Sequence, residues 1–517
     1  MSLPELALPH GIIVLAGFFG IVAASTFGLV ALFAWRWTVK PVLAVLLIAA
    51  AFGAHFMGTY GTIIDATMMT NVLQTNPSEV RDLLSVRMLL GVLVLALLPL
   101  IGIGRAKLDQ RGGWRQLRLN ALGIAAALMV IAALIFALFA DLSATMRNHK
   151  SERYLVNPVN SFYALGVLAH ETLAKSKGPL QAIGLDARIA VRPSGQRPPL
   201  LLLVIGETAR AANFSLNGYA RPTNPELLNL GVVSFRDVTS CGTSTAASLP
   251  CMFSHLGRKD HGAREVDHEN LLDLLYRAGL AVLWLDNQSG CKSLCDRVPN
   301  TRANVIAPGG VPLPSGLCQN GECLDGALLH GLNERIAALP AERRDKGVVL
   351  VMHQMGSHGP AYYQRSPPER KPFLPECTTN VLQQCDRQQL LNAYDNSIAY
   401  TDHVLAENIG WLKKQSGNYD PSLLYVSDHG ESLGENNLYL HGMPYALAPR
   451  FQTHVPLIVW LPPGNEGQVN STLACLNKKR DNALSHDNLF HTVLGLLGVT
   501  AKEYRPALDA FAPCAVR

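Results

Sequence analysis

The sequence predicts an N-terminal α-helical transmembrane domain followed by a C-terminal α/β domain on a mainly parallel sheet. Three observations carry this expectation. The first 145 residues hold long apolar runs, the second half alternates short apolar runs with amphipathic helical stretches, and all ten cysteines lie at or beyond position 241. The length of 517 residues allows several domains. The changes in texture place a membrane domain at 1–145, an amphipathic interfacial connector at 146–190 and a soluble domain, expected on the outer side of the membrane, at 191–517.

Within the membrane domain, residues 11–35, 41–59, 89–104 and 119–140 are apolar and close to the roughly 20 residues that cross a bilayer, so four spans are expected. Arg105, Lys107, Arg111, Arg115 and Arg118 lie between the third and fourth, and Arg36 and Lys40 between the first and second. Positively charged short loops stay cytoplasmic, which places the loop at 60–87, the N-terminus and everything beyond residue 140 on the outer side. Arg147, Lys150 and Arg153 argue the other way, but long domains translocate regardless of such charges. Residues 1–10 contain no Lys or Arg, which speaks against a cleaved signal peptide with a charged start. Residues 154–185 are too short and polar to span and are expected to lie along the membrane surface. The net charge of +5 is too small to suggest nucleic-acid binding.

In the soluble half, residues 199–205, 281–285, 348–352, 423–427 and 455–461 are the candidate strands, with helices expected at 270–278, 325–339 and 388–414. Polar groups follow the first four strands: Glu207; Asp286, Asn287 and Gln288; His353 and His358; Asp428, His429 and Glu431. In open α/β sheets ligands bind at the carboxyl edge of the strands, so these segments are expected to converge on one site. An even cysteine count outside the cytosol favours disulfides. Short spacings suggest Cys241 with Cys251, Cys291 with Cys295, Cys318 with Cys323 and Cys377 with Cys385, leaving Cys475 and Cys514. The rival reading is a zinc site from Cys291, Cys295, Cys318 and Cys323.

The chemistry follows from the donor types. Carboxylate and imidazole groups suit Zn²⁺, and Glu207, Asp428 and His429 supply three ligands. The remaining ligand is expected to be a hydroxyl from 241–251, where Thr245 sits near the centre. A threonine hydroxyl is too basic to attack at neutral pH unless a metal stabilises its alkoxide. Thr243, Ser244 and Ser248 rival it on spacing, or cap a helix. His358 and His441 each precede a glycine that lets backbone approach a ligand, so each is expected to bind phosphate, transfer a proton or hold a second metal.

Four stretches carry a resemblance to a known family: 204–219 (VIGETARAANFSLNGY), 240–254 (SCGTSTAASLPCMFS), 356–363 (GSHGPAYY) and 425–435 (YVSDHGESLGE). They resemble the lipid A phosphoethanolamine transferases of Gram-negative inner membranes, which include the mobile colistin-resistance enzymes, over nearly the whole chain from about residue 40. The resemblance implies an α/β/α alkaline-phosphatase-like, sulfatase-like fold. It also implies one zinc held by Glu207, Thr245, Asp428 and His429, with Thr245 becoming a phosphoethanolamine ester, and so selects Thr245 over Thr243. It further implies that Lys292, His358 and His441 contact the phosphoethanolamine group, with additional zinc at His358 and His441, and that Gln288 stands where relatives often have asparagine. Asn71, Thr75 and Glu79 match residues lining the lipid site of relatives; their i, i+4, i+8 spacing puts them on one helical face unless Pro77 breaks it. The family usually has five spans, and the four read here lack the first.

The expected function is therefore phosphoethanolamine transfer from phosphatidylethanolamine to lipid A by a monomer anchored in the bacterial inner membrane, giving resistance to polymyxin and other cationic peptides. The rivals are a same-fold enzyme with another acceptor or outcome, such as a phosphoglycerol transferase, phosphodiesterase or sulfatase, and a non-enzymatic zinc or lipid sensor. The absence of a sulfatase-type Cys or Ser motif argues against a sulfatase.

Overall fold

The computed structural model describes residues 8–75, 77–109, 112–148, 152–175, 178–319, 321–462 and 473–514. Arg111 and Lys150 of the charge pattern lie outside them. The chain forms two compact units, Met1–Met69 with Leu84–His170, and Thr70–Leu83 with Glu171–Arg517.

Among the described residues of the first unit, four helices are long and apolar enough to cross a membrane: His10–Leu32, Val39–Tyr60, Val86–Arg105 and Gly113–Ala137. Large apolar side chains point outward from them, with Phe136 at 88% exposure, an arrangement costly in water and favourable in lipid. Small residues let the first and last of these helices approach closely. A Cβ on Gly17 or Gly20 would meet Leu138 or Leu134 at 2.0 or 2.8 Å, as expected where packing rather than hydrophobicity joins helices. Asn157 and Asn160 add hydrogen bonds to the carbonyls of Ala50 and Ile64. A helix, Val159–Lys175, runs through the stretch expected as connector.

The second unit is built on an eight-stranded sheet. In chain order its strands are β1 (Pro199–Gly206), β2 (Val233–Thr239), β3 (Ala281–Asp286), β4 (Asn300–Arg302), β5 (Val348–His353), β6 (Asp420–Ser427), β7 (His454–Trp460) and β8 (Ala483–Ser485). Their order across the sheet is β8-β2-β7-β6-β1-β5-β3-β4. All neighbours pair parallel except β7, which is antiparallel to both β2 and β6. Burial of both faces explains the uninterrupted apolar runs. Leu201, Leu203 and Ile205 enter a core with Leu271, Phe253 and Phe490, whereas Leu200, Leu202 and Val204 enter another with Ile398 and Leu405 of the long helix Arg387–Gln415. Each fully buried leucine contributes about 1.5–3 kcal/mol.

The helix expected at 325–339 is broken into Asp325–Leu329 and Leu332–Ala337 at Gly331, whose φ is +69°. Five disulfides join Cys241 to Cys251, Cys291 to Cys295, Cys318 to Cys323, Cys377 to Cys385 and Cys475 to Cys514. The sulfurs of the rival four-cysteine zinc reading are thus consumed in two of these bonds.

Candidate metal and phosphoryl-transfer site

Parallel register brings four strand ends side by side. Gly206 of β1 pairs with Ser427 of β6, Ile205 pairs with His353 of β5, and His353 pairs with Asp286 of β3. The next residues therefore enter one volume: Glu207 after β1, and Asp428 and His429 after β6. All three are fully buried, and their candidate ligand atoms lie within 4.8 Å of one another. His429 Nε2 is 3.3 Å from Glu207 Oε1 and 3.4 Å from Asp428 Oδ2.

Thr245 opens the helix Thr245–Met252. Its Oγ1 lies 2.9 and 3.1 Å from the two Glu207 oxygens and 3.5 Å from His429 Nε2. The rival hydroxyls are placed otherwise. Thr243 Oγ1 donates to the Met443 carbonyl, Ser248 Oγ accepts from the Gly242 N–H, and Ser244 Oγ is buried with no hydrogen-bond partner among the described residues. Of the four, Thr245 is the one that faces the carboxylates.

The donor set fits a divalent metal. His429 Nδ1 is 2.9 Å from the Gly430 carbonyl; donating there leaves the Nε2 lone pair directed at two carboxylates, a repulsive arrangement that a cation relieves. Asp428 Oδ1 accepts from the N–H groups of Thr208 and His429, while Oδ2 is buried with no hydrogen bond. Without a cation, burial and then the Glu207 charge hold Asp428 up to about 6. Burial lowers His429, but the Asp428 and Glu207 carboxylates more than reverse this and raise it to about 10. Burial likewise opposes ionisation of Glu207, yet its hydrogen bond to His429 and the nearby imidazoles keep it below the usual carboxylate range. The cluster demands positive charge, which a proton or a metal supplies.

The other histidines extend the site. The His441 ring centre lies 4.4 Å from that of His429 and 5.6 Å from that of His358. Glu431 Oε2 anchors His441 at 3.4 Å from Nδ1. Burial pushes His358 down to about 3, so it is neutral at physiological pH, and its Nδ1 has no hydrogen-bond partner. His353 is legible in the sequence as a residue at a strand end, with no role assigned to it there. The fold buries it completely, with Nδ1 3.0 Å from Asp286 Oδ1 and Nε2 3.9 Å from Glu207 Oε2. A histidine ending a buried strand beside a row of acids was the available signal.

Gln288 and Lys292 meet through Ser289: the Ser289 N–H and hydroxyl donate to Gln288 Oε1, and Lys292 Nζ donates to Ser289 Oγ at 3.0 Å. Asn71, Thr75 and Glu79 do not share one helix. The helix Ala66–Gln74 ends before Pro77, which starts Pro77–Leu83, so Asn71 and Glu79 belong to different helices with Thr75 between them. Pro77 has no N–H and cannot continue the preceding turn.

Comparison with known proteins matches residues 22–173 to the family model described as phosphoethanolamine transferase EptA/EptB, and residues 199–499 to the sulfatase model. The chain is 41% identical over 487 residues to phosphoethanolamine transferase EptA of Salmonella typhimurium, covering 92% of this chain and 86% of that protein. It is 39% identical over 502 residues to phosphatidylethanolamine transferase Mcr-1 of Escherichia coli, covering 95% and 90%. The solved integral membrane EptA of Neisseria meningitidis superposes with a TM-score of 0.91 at 34% identity, over 99% of this chain and 94% of that one. The soluble unit thus has the sulfatase fold on an integral membrane protein, and the chain belongs to the lipid A phosphoethanolamine transferase family.

Proposed function

We propose that this protein transfers phosphoethanolamine from phosphatidylethanolamine to lipid A through a covalent ester on Thr245. The observation that carries the reading is Thr245 Oγ1 at 2.9 Å from Glu207, beside an Asp428 oxygen that accepts no hydrogen bond from the described residues and the inward-facing Nε2 of His429. Glu207, Thr245, Asp428 and His429 would hold a zinc ion, which when bound would supply Lewis-acid charge that makes the Thr245 hydroxyl less basic and offsets charge on the phosphoryl oxygens.

Thr245 Oγ1 bonds to phosphorus as the phosphorus–oxygen bond to diacylglycerol breaks, and diacylglycerol leaves with a proton. A phosphate oxygen of lipid A then attacks the same phosphorus and displaces Thr245, whose oxygen takes up the proton that the lipid A phosphate gives up. Glu207 and His429 hold the hydroxyl in line with the site, so the reacting atom needs no search. His358, neutral through burial, serves as a hydrogen-bond partner or metal ligand rather than as a fixed cation. Lys292, Gln288, His358 and His441 bind the phosphoethanolamine group, and Asn71, Thr75 and Glu79 contact the donor lipid. Both substrates are lipids, so anchoring the soluble domain on the periplasmic face of the inner membrane raises their effective concentration. The added amine offsets negative charge on lipid A and weakens binding of polymyxin and other cationic peptides.

The test is incubation of purified protein with phosphatidylethanolamine and lipid A, with both products followed by mass spectrometry. Phosphoethanolamine-lipid A and diacylglycerol are expected in equal amounts, to be lost with a chelator and restored by zinc. Transfer that survives chelation, or transfer of another group, would overturn the proposal.

A further inference from the structure

One guanidinium joins three parts of the soluble unit. The side chain of Arg365 is 4% exposed; its Nη2 lies 2.9 Å from Asp82 Oδ2, its Nη1 2.9 Å from Glu322 Oε2, and its Nε donates to the His358 carbonyl at 2.8 Å. Asp82 belongs to the helix Pro77–Leu83, Glu322 to the short hairpin closed by Cys318–Cys323, and His358 to the candidate site. Asn380 Nδ2 adds a second tie to the Asp82 carbonyl at 2.7 Å. Burial opposes ionisation of Asp82 and the Glu322 charge adds to that, so the Arg365 cation is what allows two carboxylates to share this place. Arginine suits such a junction because its planar fork keeps its charge and offers several fixed donors.

The helix held this way forms part of a wall. A polar cavity of about 200 Å³ is lined by Pro77 on one side and by Asp286, Gln288 and Ser289 on another, with Glu322 contributing as well. Gln288 and Ser289 form the hydrogen-bonded group that positions Lys292. The cavity is therefore bounded by the outer-loop helix, the hairpin and the segment after β3, and Arg365 ties the first two together. A second cavity of about 480 Å³ opens on the clamp itself, with Asp82, Glu322 and Arg365 in its lining.

We infer that Arg365 is a positioning residue for the donor lipid: it fixes Pro77–Leu83 against the catalytic body so that the small polar cavity accepts a zwitterionic phosphate-amine headgroup. This rests on the proposed transfer reaction. The clamp acts on the lipid-binding wall through Asp82, and no part of it enters the ligand cluster of Glu207, Thr245, Asp428 and His429.

The test uses the full-length protein in detergent with Asp82→Asn, which removes one charge from the clamp, and Asp82→Lys, which sets a cation against Arg365. Hydrogen–deuterium exchange reads the clamp directly, and kinetics compare phosphatidylethanolamine with a water-soluble aryl ester of phosphoethanolamine. Protection of residues 77–83 is expected to fall in both variants, more in Asp82→Lys. KM for both substrates, which carry the same headgroup, is expected to rise about tenfold in Asp82→Asn, with kcat and zinc content within twofold of wild type. Wild-type protection in Asp82→Lys would overturn the clamp. An unchanged KM for both substrates, or a fall in kcat with no rise in KM, would overturn its role toward the donor. Wild-type protein that consumes neither substrate would refute the transfer reaction instead, and in that case the role toward the donor falls with it while exchange still decides whether the clamp exists.

Discussion

Replacing Gly356 with alanine tests how far the ligand cluster depends on backbone placement rather than on side-chain identity. Gly356 has φ +54°, and a Cβ there would lie 2.6 Å from the Glu207 carbonyl oxygen and 2.9 Å from the Glu207 nitrogen. Both are backbone atoms, so no side-chain rotation relieves the contact. The left-handed conformation costs an L-residue about 1–2 kcal/mol, and overpacking typically costs about 1–3 kcal/mol more. Glu207 must move by several tenths of an ångström, which strains its 2.9 Å contact with Thr245 Oγ1 and the bond from the Ser357 N–H to its carbonyl. Misplacement on the ångström scale costs about a hundredfold in rate. Gly356→Ala is therefore expected to lose about 2–5 kcal/mol of stability and of the order of a hundredfold in kcat/KM, with weakened zinc binding. The assays are thermal unfolding, zinc titration and transfer kinetics, beside Gly410→Ala, where a Cβ meets open space within a helix. Wild-type zinc affinity and turnover in Gly356→Ala would refute the reasoning.

Ser248→Ala removes the acceptor for the buried Gly242 N–H; it is expected to cost about 1–3 kcal/mol of stability while transfer stays within a few-fold of wild type. Loss of transfer as complete as in Thr245→Ala would place the nucleophile elsewhere. His486 is buried, with Nδ1 accepting from the Cys241 N–H and Nε2 donating to the Ser427 carbonyl. Burial lowers it to about 4, below its unfolded value near 6.5, so the folded state favours the neutral ring. Its contribution, up to about 3 kcal/mol, is present above pH of about 6.5 and is lost as pH falls toward 4. Melting temperatures of wild type and His486→Gln should converge as pH falls across that window, and a constant gap would contradict the assignment.

Both faces of the central strands are buried, which is why β1, β3, β5, β6 and β7 were legible as apolar runs within a few residues of their ends. Three strands escaped this reading. Ser234, Arg236 and Asp237 interrupt β2, whereas β4 and β8 are three-residue edge strands. The antiparallel direction of β7 leaves no trace in composition, because a strand buried on both faces reads the same either way. Polar residues after four strands marked the site edge, since parallel register forces such residues together. The position of His353 at a strand end was legible but its pairing was not, because its partner Asp286 is 67 residues distant and on another strand. Spacing also suggested one face for Asn71, Thr75 and Glu79, and the missing N–H of Pro77 divided it. Arg365 left no local signal at all: its three partners come from separate segments.

In the proposed reaction Thr245 carries the phosphoethanolamine group between the two lipids. Intact-mass measurement of the zinc-loaded protein after incubation with phosphatidylethanolamine, beside Thr245→Ala, tests it most directly. A gain of one phosphoethanolamine group, mapped to Thr245, absent from the variant and discharged by lipid A, is the predicted result. An adduct on another residue, or full transfer by Thr245→Ala, would contradict the account.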